Sequence, residues 1–449
     1  MQITHRVATT IGIAVGSLTA GVYLIGSGRA FDYDSAATVE TFIRTGSLAD
    51  PFRRQIAFNN HPFFSFLEHV VYTLTGSASE WAMRPLPILF AAATVGLLVG
   101  TLAARRSLWI GLAAGVLLAL NPLFIAETRA VRGYSLLCLC AVGSSLLLDR
   151  LDRTGRGRLV YALVVAIGVA THLYMLGVVI GHIAWIASRK RLSRSWALTW
   201  VEGVLFGSFA YLGLMRVMTQ SSTRLFRPTF PYDLARALLG HNPILVVVEL
   251  AGVIAAIWTW RDKRETWFVG AAVGLVVLGA WLVAPQFLFP RFFVWLLPGV
   301  VTLAAVGLAR VRLLPFAALV VVVLPGAAHS FTRDPIANRA AAVAIQPLIR
   351  DGLKVCTFGL DYGGISVYTT DLKPIYSLAD LKRCDATVSI LSNDATQQLM
   401  ETNATQFPFV TMLPAEMPGV IRSRTRLDAA VLSYRFVEQS FPATLTADR

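Results

Sequence analysis

The chain has 449 residues, of which 55% are hydrophobic and only 15% are charged. A soluble protein of this length carries charges on about a quarter of its residues, so the composition argues against a soluble enzyme. The formal net charge is +14, and the whole excess lies in residues 1–330, where 28 basic residues oppose 14 acidic ones. These basic residues fall in short gaps between apolar runs. That pattern is typical of a membrane protein, and we expect no nucleic-acid partner.

Apolar runs predict that residues 1–330 form an all-α polytopic membrane bundle of about 11 transmembrane helices. The first run, residues 7–26, is long enough to span the membrane and has no convincing cleavage site. The later runs are residues 84–104, 107–125, 133–148, 159–187, 196–217, 243–260, 267–284, 292–309 and 313–330. The run at 159–187 lies between two basic gaps, so we expect it to cross and return. Two short spans meeting near Thr171–His172 satisfy this condition, and so does a re-entrant hairpin.

Positive charge in the gaps predicts the orientation of the chain. The gaps of a membrane protein that lie in the cytoplasm are rich in Lys and Arg. We expect the basic gaps to be cytoplasmic, namely residues 105–106, 150–158, 189–194, 261–264 and 310–312. We therefore expect a multi-pass protein of the plasma membrane with a cytoplasmic N-terminus.

The remaining residues, 331–449, have balanced charge and contain the strand-like segments KVCTFGL and ATVSIL beside the helix-like NRAAAVAIQPLIRDG. This alternation predicts a small C-terminal α/β domain, and the predicted orientation of the bundle places it outside the cytoplasm. Cys356 and Cys384 in this domain form a candidate disulfide, because bridges persist in such a compartment.

The first predicted outer loop, residues 27–83, contains two amphipathic segments too short to cross a membrane, which predict helices lying in the membrane interface. One covers residues 35–45 and stops at Gly46; the other starts at Pro62 and stops at Gly76. The apolar residues of the second helix form one stripe, made of Phe63, Phe66, Leu67, Val70, Val71 and Leu74. Glu68 and His69 lie beside that stripe, and we expect them to face solvent.

Polar residues are densest just after the first run, where Asp32 and Asp34 occur. A carboxylate at the rim of a membrane bundle can remove a proton from a hydroxyl group as that hydroxyl attacks. Asp34 is the candidate general base. The structural alternative is that Asp34 is the N-cap of the 35–45 helix, a role that does not exclude catalysis.

Several segments, in order, resemble the GT-C fold glycosyltransferases, and in particular the polyprenyl-phosphate-sugar-dependent enzymes of the protein O-mannosyltransferase and aminoarabinose-transferase type. FDYDSAATVETF resembles their acidic motif, usually Asp-Glu-Ala, and NNHPFFSFL their His-Pro-Pro-Leu segment. EWAMRPLPILFAAATVGLL, LNPLFIAETRAVRGYSLL and PRFFVWLLPGVVTLAAVGL resemble later segments, so the set covers about residues 7–310. The family's general base falls on Asp34. Ser35 replaces the usual Glu, which weakens the case for a metal-binding acidic pair and leaves Asp32 as the second candidate carboxylate. Binding of a divalent metal therefore stays open.

The resemblance implies a donor in which the sugar is attached to a polyprenyl phosphate, and guanidinium groups bind phosphate in a bidentate way. The outer-facing candidates for this contact are Arg129, Arg132, Tyr134, Arg224, Arg227 and Arg291. For each arginine the alternative is an anchor for lipid headgroups. His61, His172 and Asn60 are candidates for orienting the acceptor. For His61 the alternative is a hydrogen bond to a loop carbonyl.

The predicted reaction is inverting transfer of a sugar from this donor to a hydroxyl acceptor at the outer face of the plasma membrane. The acceptor class stays open between a cell-envelope glycan, a lipid and a protein. The sequence contains no GxGxxG after a strand and no GxxxxGK[ST] motif, which fits a donor without a nucleotide. Two alternatives remain: a transporter or flippase for a lipid-linked sugar, and a non-catalytic subunit for envelope assembly.

Overall fold

The computed structural model describes residues 4–53, 60–216, 228–240, 243–283, 289–311, 338–358, 364–369, 371–375, 386–392, 420–421 and 429–435, with 324, 327, 328, 331 and 383. The chain divides into two compact units. The first unit consists of Met1–Ser27 and Gly46–Thr332, and the second of Gly28–Thr45 and Arg333–Arg449.

Helices account for most of the described residues. The principal α-helices are α1 (His5–Leu24), α2 (Tyr33–Thr38), α3 (Asp50–Arg53), α4 (Pro62–Thr75), α5 (Glu80–Met83), α6 (Pro85–Arg105), α7 (Leu108–Ala119), α8 (Pro122–Arg129), α9 (Tyr134–Thr154), α10 (Arg158–Thr171), α11 (Met175–Ser188), α12 (Arg194–Ser208), α13 (Phe230–Leu238), α14 (Pro243–Thr259), α15 (Arg264–Val283), α16 (Leu297–Val311) and α17 (Asn338–Arg350). A π-helix covers Val39–Ile43, and 3₁₀ helices cover Phe209–Arg216, Pro290–Leu296 and Ser366–Tyr368.

Several helices are long and apolar enough to cross a membrane. Among the described residues there are five, or up to seven if the bent pairs α7–α8 (62°) and α13–α14 (87°) each count as one span. The chain is thus a multi-pass membrane protein. The predicted total of 11 spans stays a prediction, because most of the run 313–330 lies outside the described residues and several apolar helices are short.

The run at 159–187 forms two helices and not one. Helix α10 ends at Thr171, and α11 begins at Met175. The predicted break near Thr171–His172 is confirmed. Each helix has 14 residues, which gives a length of about 21 Å, less than the hydrocarbon core of a bilayer.

Helices α1 and α6 approach each other through glycines. A Cβ added to Gly12 would lie 2.5 Å from the carbonyl oxygen of Gly96, and one added to Gly16 would lie 2.8 Å from that of Ala92. Small residues permit this backbone contact, which is the usual way that helices associate in lipid. These small residues therefore hold α1 directly against α6.

Basic residues from three predicted inner gaps meet acidic residues at one end of the bundle. The ion pairs are Arg105–Asp149, Arg153–Asp149, Arg158–Glu202, Arg189–Asp152 and Arg191–Asp152, with N–O distances of 2.6 to 3.2 Å. The pairs join α9 to the end of α6 and to the residues that follow α11, and they join the start of α10 to α12.

A buried chain of hydrogen bonds connects α9, α10, α11 and α12. Trp200 Nε1 donates to the hydroxyl of Tyr161 (3.0 Å), which lies 2.9 Å from Nδ1 of His182. His182 Nε2 lies 3.1 Å from Oγ of Ser145, which donates to the carbonyl of Ala141 (2.7 Å). One neutral tautomer satisfies all of these bonds, with Tyr161 donating to Nδ1 and the histidine proton on Nε2.

Replacing Tyr161 by Phe should destabilise the bundle by about 1–2 kcal/mol, because the change leaves Trp200 and His182 with unsatisfied buried nitrogen atoms. Thermal unfolding in detergent measures this effect. Tyr232→Phe is the matched control, since that side chain is 67% exposed. A midpoint for Tyr161→Phe equal to that of the control would contradict the role of the hydrogen-bond chain.

Helix α4 has the predicted boundaries but not the predicted orientation. Pro62 is in its first turn, and Gly76 follows it with φ of 65°. The buried side chains are Phe64, Ser65, Glu68 and His69, together with Pro62. The expectation that Glu68 and His69 face solvent is wrong. An apolar stripe marks the buried face of a helix only when water surrounds the opposite face. Here part of the predicted stripe lies on the surface, since Leu74 is 81% exposed.

Glu68 is fully buried, and neither of its carboxyl oxygens has a hydrogen-bond partner among the described residues. Burial raises the pKa of this carboxyl group well above its usual value.

The second unit contains a five-stranded mixed sheet in the order β2-β1-β3-β5-β4. Its strands are β1 (Val355–Phe358), β2 (Lys373–Ile375), β3 (Ala386–Ser392), β4 (Val420–Ile421) and β5 (Ala429–Arg435). Strands β2, β1 and β3 run parallel, with Cys356 opposite Thr387, and β5 is antiparallel to both β3 and β4. Cys356 is disulfide-bonded, and its predicted partner, Cys384, lies outside the described residues. Cys138 and Cys140 are free and buried.

Candidate functional site

Five of the predicted site residues meet in the interior of the first unit. The rings of His61, Tyr134 and His172 form a triangle with centroid distances of 4.8 Å (His61–Tyr134), 5.0 Å (His61–His172) and 5.7 Å (Tyr134–His172). They come from the start of α4, the start of α9 and the α10–α11 break. We call this set, with Arg132 and Arg291, the arginine–histidine cluster.

The two arginines of the arginine–histidine cluster lie against its aromatic rings. Arg132 is 1% exposed, and its guanidinium carbon lies 5.6 Å from the ring centroid of Tyr134. The guanidinium carbon of Arg291 lies 5.6 Å from the ring centroid of Phe292. Phe292 in turn packs on His172, with the ring centroids 5.7 Å apart. Arg132 is therefore held where most water is excluded, and Arg291 is partly shielded from water, so an anion here would be bound more strongly than in water.

His61 is held in its neutral form. Burial lowers its pKa well below the usual value, and the positive charges of Arg132 and Arg291 lower it further. A hydrogen bond to the backbone of Thr171 acts in the opposite direction but does not outweigh burial. No partner for His61 Nδ1 is present among the described residues, so this lone pair can accept a hydrogen bond from a ligand.

His172 has a defined tautomer when it is neutral. Its Nδ1 accepts a hydrogen bond from the backbone N–H of Tyr174 at 3.1 Å. The proton of the neutral ring is therefore on Nε2, which makes this nitrogen a donor. With the guanidinium groups, the arginine–histidine cluster offers several donors suited to phosphate or sugar oxygens.

Gly133 permits the close packing of the arginine–histidine cluster. A Cβ at this position would lie 2.6 Å from Cγ2 of Thr171 and 3.0 Å from Nδ1 of His61. Only glycine brings the start of α9, and with it Arg132, so close to the imidazole of His61.

Replacing Gly133 by Ala should displace His61 and reduce the predicted transfer activity at least tenfold, since displacements of about 1 Å cost up to a hundredfold. Gly143→Ala is the matched control on the same helix, because its Cβ would meet only Cγ1 of Val164, at 3.9 Å. Steady-state rates of both variants test this expectation. Equal rates would show that the packing at Gly133 does not matter for activity.

Asn60 and Arg129 make contacts within the scaffold. The Asn60 side chain donates to the carbonyl of Pro51 (2.7 Å) and accepts from Oγ of Ser65 (3.0 Å), which fixes the chain just before His61.

Arg129 donates to the carbonyl of Ile25 (2.9 Å), the residue after α1. Arg84 donates to the carbonyl of Ser27 and to that of Arg129. Together, Arg84 and Arg129 hold the end of α1. The predicted contacts Arg224 and Arg227 lie outside the described residues.

A cavity of about 310 Å³ lies beside Arg291. Its lining combines charged, aromatic and apolar side chains from α8, α13 and the chain before α16, namely Leu123, Glu127, Asp233, Arg236, Ala237, Phe289, Pro290 and Arg291. Carboxylates and guanidinium groups beside an aromatic ring suit the hydroxyl groups and apolar faces of a sugar.

The acidic segment, residues 28–45, belongs to the second unit. Asp32 is the N-cap of α2, because its carboxylate accepts from the backbone N–H of Ser35 (2.7 Å) and from the Ser35 hydroxyl (3.0 Å). The alternative that Asp34 is the N-cap is therefore wrong. Asp34 lies in the first turn of α2, two residues after the cap, and its side chain is partly exposed. Ser35, which replaces the usual Glu, is buried and completes the cap.

The helix of the acidic segment changes its pitch after α2. The π-helix Val39–Ile43 follows directly and ends before Gly46, as the sequence predicts. Such π-turns are frequent at functional sites. Among the described residues, no group of three or more His, Cys, Asp or Glu could hold a metal ion, so we assign no metal ligands.

Some residues of the site have no clear signal in the sequence. Phe292 and Gly133 occur inside recognised segments, but only the fold shows that they touch His172 and His61. Arg84 lies inside one of the resembling segments. Its place beside Pro85 and Pro87, at the start of an apolar run, is the sequence signal that could mark it as a scaffold residue.

Comparisons with known proteins identify the fold. No protein-family model matches the sequence, and no curated protein matches it. The apo structure of ArnT from Cupriavidus metallidurans, an aminoarabinose transferase, is similar with a TM-score of 0.57 and 14% identity, over 94% of this chain and 97% of that one. The structure of the same protein bound to undecaprenyl phosphate has a TM-score of 0.51, 13% identity and the same coverage. The chain has a GT-C fold.

A third structure with this fold is larger. The arabinofuranosyltransferase AftD from Mycobacteria has a TM-score of 0.50 and 15% identity, and the match covers 98% of this chain but 40% of AftD. The chain thus spans less than half the length of AftD. At these identities the similarity establishes the GT-C fold and not the substrate. The resemblance predicted from the ordered motifs is confirmed at that level.

Proposed function

We propose that the chain is an inverting glycosyltransferase that moves a sugar from a polyprenyl phosphate to a hydroxyl acceptor at the outer face of the plasma membrane. The observation that carries this proposal is the burial of Arg132, with Arg291, around His61, Tyr134 and His172. Guanidinium groups bind phosphate oxygens through paired, charge-assisted hydrogen bonds, and the donor presents a phosphate. A GT-C fold protein bound to undecaprenyl phosphate supports this class of ligand.

Arg132 and Arg291 hold the donor phosphate in this proposal. As the bond between the sugar's anomeric carbon and the phosphate oxygen breaks, its electron pair moves to that oxygen. The guanidinium groups stabilise the charge that develops there, and the water-poor surroundings strengthen this effect. The Nδ1 lone pair of neutral His61 accepts a hydrogen bond from a sugar hydroxyl, and the Nε2–H of His172 donates to a phosphate or sugar oxygen. The cavity beside Arg291 accommodates a sugar ring.

Asp34 is the proposed base on the acceptor side. It takes the proton of the acceptor hydroxyl while the oxygen of that hydroxyl forms the new bond to the anomeric carbon. A single displacement inverts the configuration at that carbon. This role rests on the resemblance of the acidic segment and on the assignment of the N-cap to Asp32. Arg129 is left out of the phosphate-binding set because it holds the end of α1. Arg224 and Arg227 stay candidates from sequence alone.

The experiment that tests the proposal distinguishes sugar transfer from transport of the intact lipid-linked sugar. Purified protein is placed in sealed vesicles with a radiolabelled polyprenyl-phosphate sugar and an extract of envelope acceptors. We expect a new labelled glycoside that depends on the protein. A lipid-linked sugar that crosses the bilayer and stays intact would instead support a transporter.

A further inference from the structure

The acidic segment is tied to the C-terminal region by its first residues. The backbone N–H of Phe31, which immediately precedes the N-cap Asp32, donates to the hydroxyl of Tyr368 at 2.7 Å. The rings of Phe31 and Tyr368 also stack, with centroids 6.4 Å apart and an interplanar angle of 24°. Phe31 is 1% exposed. One side chain therefore fixes both the backbone and the ring of the residue that leads into α2.

The C-terminal end of the acidic segment is held by Val367, the residue just before Tyr368. Arg44, which ends the π-helix, donates to the carbonyl of Val367 at 3.0 Å and also pairs with Glu40. Val367 and Tyr368 both belong to the 3₁₀ helix Ser366–Tyr368. The helical stretch that contains Asp34 is thus anchored before its first turn and after its last one.

Helix α17 supports this 3₁₀ turn. Gln346 donates to the Thr369 hydroxyl at 3.3 Å, next to the turn. The guanidinium carbon of Arg339 lies 5.6 Å from the ring centroid of Tyr368, and the same group donates to the carbonyl of Gly28 at 2.9 Å. Arg339 therefore holds the ring of Tyr368 and the start of the acidic segment in one position.

We propose that Tyr368 is a positioning residue for Asp34, and that the C-terminal region is in this way part of the catalytic apparatus. The proposal rests on the function of Asp34 proposed above. A general base must lie within hydrogen-bond reach of the acceptor hydroxyl, so loss of a backbone anchor three residues away lowers the rate of the chemical step. Tyr368 itself touches neither substrate.

The test is Tyr368→Phe in the full-length protein, because this change removes the accepting oxygen but keeps the stacked ring. We expect kcat to fall about tenfold while KM for the donor stays unchanged, since the phosphate-binding residues are intact. Hydrogen exchange of the peptide containing Phe31 should become faster, while that of β1 should not. Arg339→Gln is a second variant with the same expected direction. Tyr232→Phe is the control.

Two readouts distinguish the ways in which the proposal can fail. Unchanged exchange at Phe31 in both variants, or faster exchange with unchanged kcat, would overturn the role of Tyr368. A rise in KM with constant kcat would also overturn it. If Asp34→Asn keeps full activity, the base assignment fails instead, whatever the exchange data show.

Discussion

Replacing Asp34 by Asn should lower the rate of sugar transfer by about a thousandfold while the protein still binds its donor. Asn has nearly the same shape as Asp but cannot take a proton, and general-base catalysis contributes about 10²–10⁴ to the rate. Labelled polyprenyl-phosphate sugar, purified protein in lipid nanodiscs and measurement of the glycoside formed give kcat directly.

Two further Asp→Asn variants are controls for this prediction. Asp262→Asn changes a side chain that is 93% exposed and should leave the rate unchanged. Asp32→Asn should weaken the N-cap only slightly, since Asn is also a good cap, and its rate should remain far above that of Asp34→Asn. Equal transfer by Asp34→Asn and wild type would remove Asp34 from the mechanism.

Replacing Arg132 or Arg291 by Gln should weaken binding of undecaprenyl phosphate at least a hundredfold. Each change removes a charge that is partly or fully shielded from water, where charge-assisted hydrogen bonds to phosphate are strong. Arg→Lys at either position should have a smaller effect, because Lys keeps the charge but loses the bidentate geometry. Quenching of intrinsic tryptophan fluorescence in nanodiscs, at increasing lipid concentration, measures the affinity.

The matched control for the arginine variants is Arg156→Gln, in an exposed predicted inner gap. Its affinity for undecaprenyl phosphate should equal that of the wild type. If both cluster variants bind as tightly as this control, the arginine–histidine cluster is not the phosphate site.

Local signals in the sequence predicted much of the fold. Pro62 and Gly76 mark the two ends of α4, since proline suits a first turn and glycine the left-handed residue after the helix. The break at Thr171–His172 followed from charge, because two basic gaps must lie on the same side of the membrane. The first signal is read from the residues at the helix ends, and the second from the charges that flank the run at 159–187, so neither requires the tertiary contacts.

The inward face of α4 was not predictable from its periodicity. In water the apolar stripe of a helix marks the core, but a helix surrounded by lipid can bury its polar side. Glu68 and His69 were therefore assigned to the wrong face. The position of the N-cap was missed by two residues for a local reason, because Asp32 and Asp34 are equally good caps by residue type.

Contacts between residues that are far apart in the sequence could not be predicted from it either. The arginine–histidine cluster joins His61, Arg132 and Arg291, which come from three separate motif segments, with His172, which lies outside those segments. The bond from Phe31 to Tyr368 joins positions 337 residues apart. A resemblance that covers only residues 7–310 cannot contain Tyr368, so the ordered motifs carry no signal for this contact.

The central claim is that a polyprenyl-phosphate sugar is cleaved at its phosphate bond and that the sugar goes to a hydroxyl group. Mass spectrometry of a single-turnover reaction in nanodiscs measures this directly, by counting free polyprenyl phosphate and new glycoside together. We predict one polyprenyl phosphate per glycoside for the wild type and neither product for Asp34→Asn or for the Arg132→Gln, Arg291→Gln double variant. Glycoside formed at the wild-type rate by these variants, or a donor that stays intact with wild-type protein and acceptors, would contradict the claim.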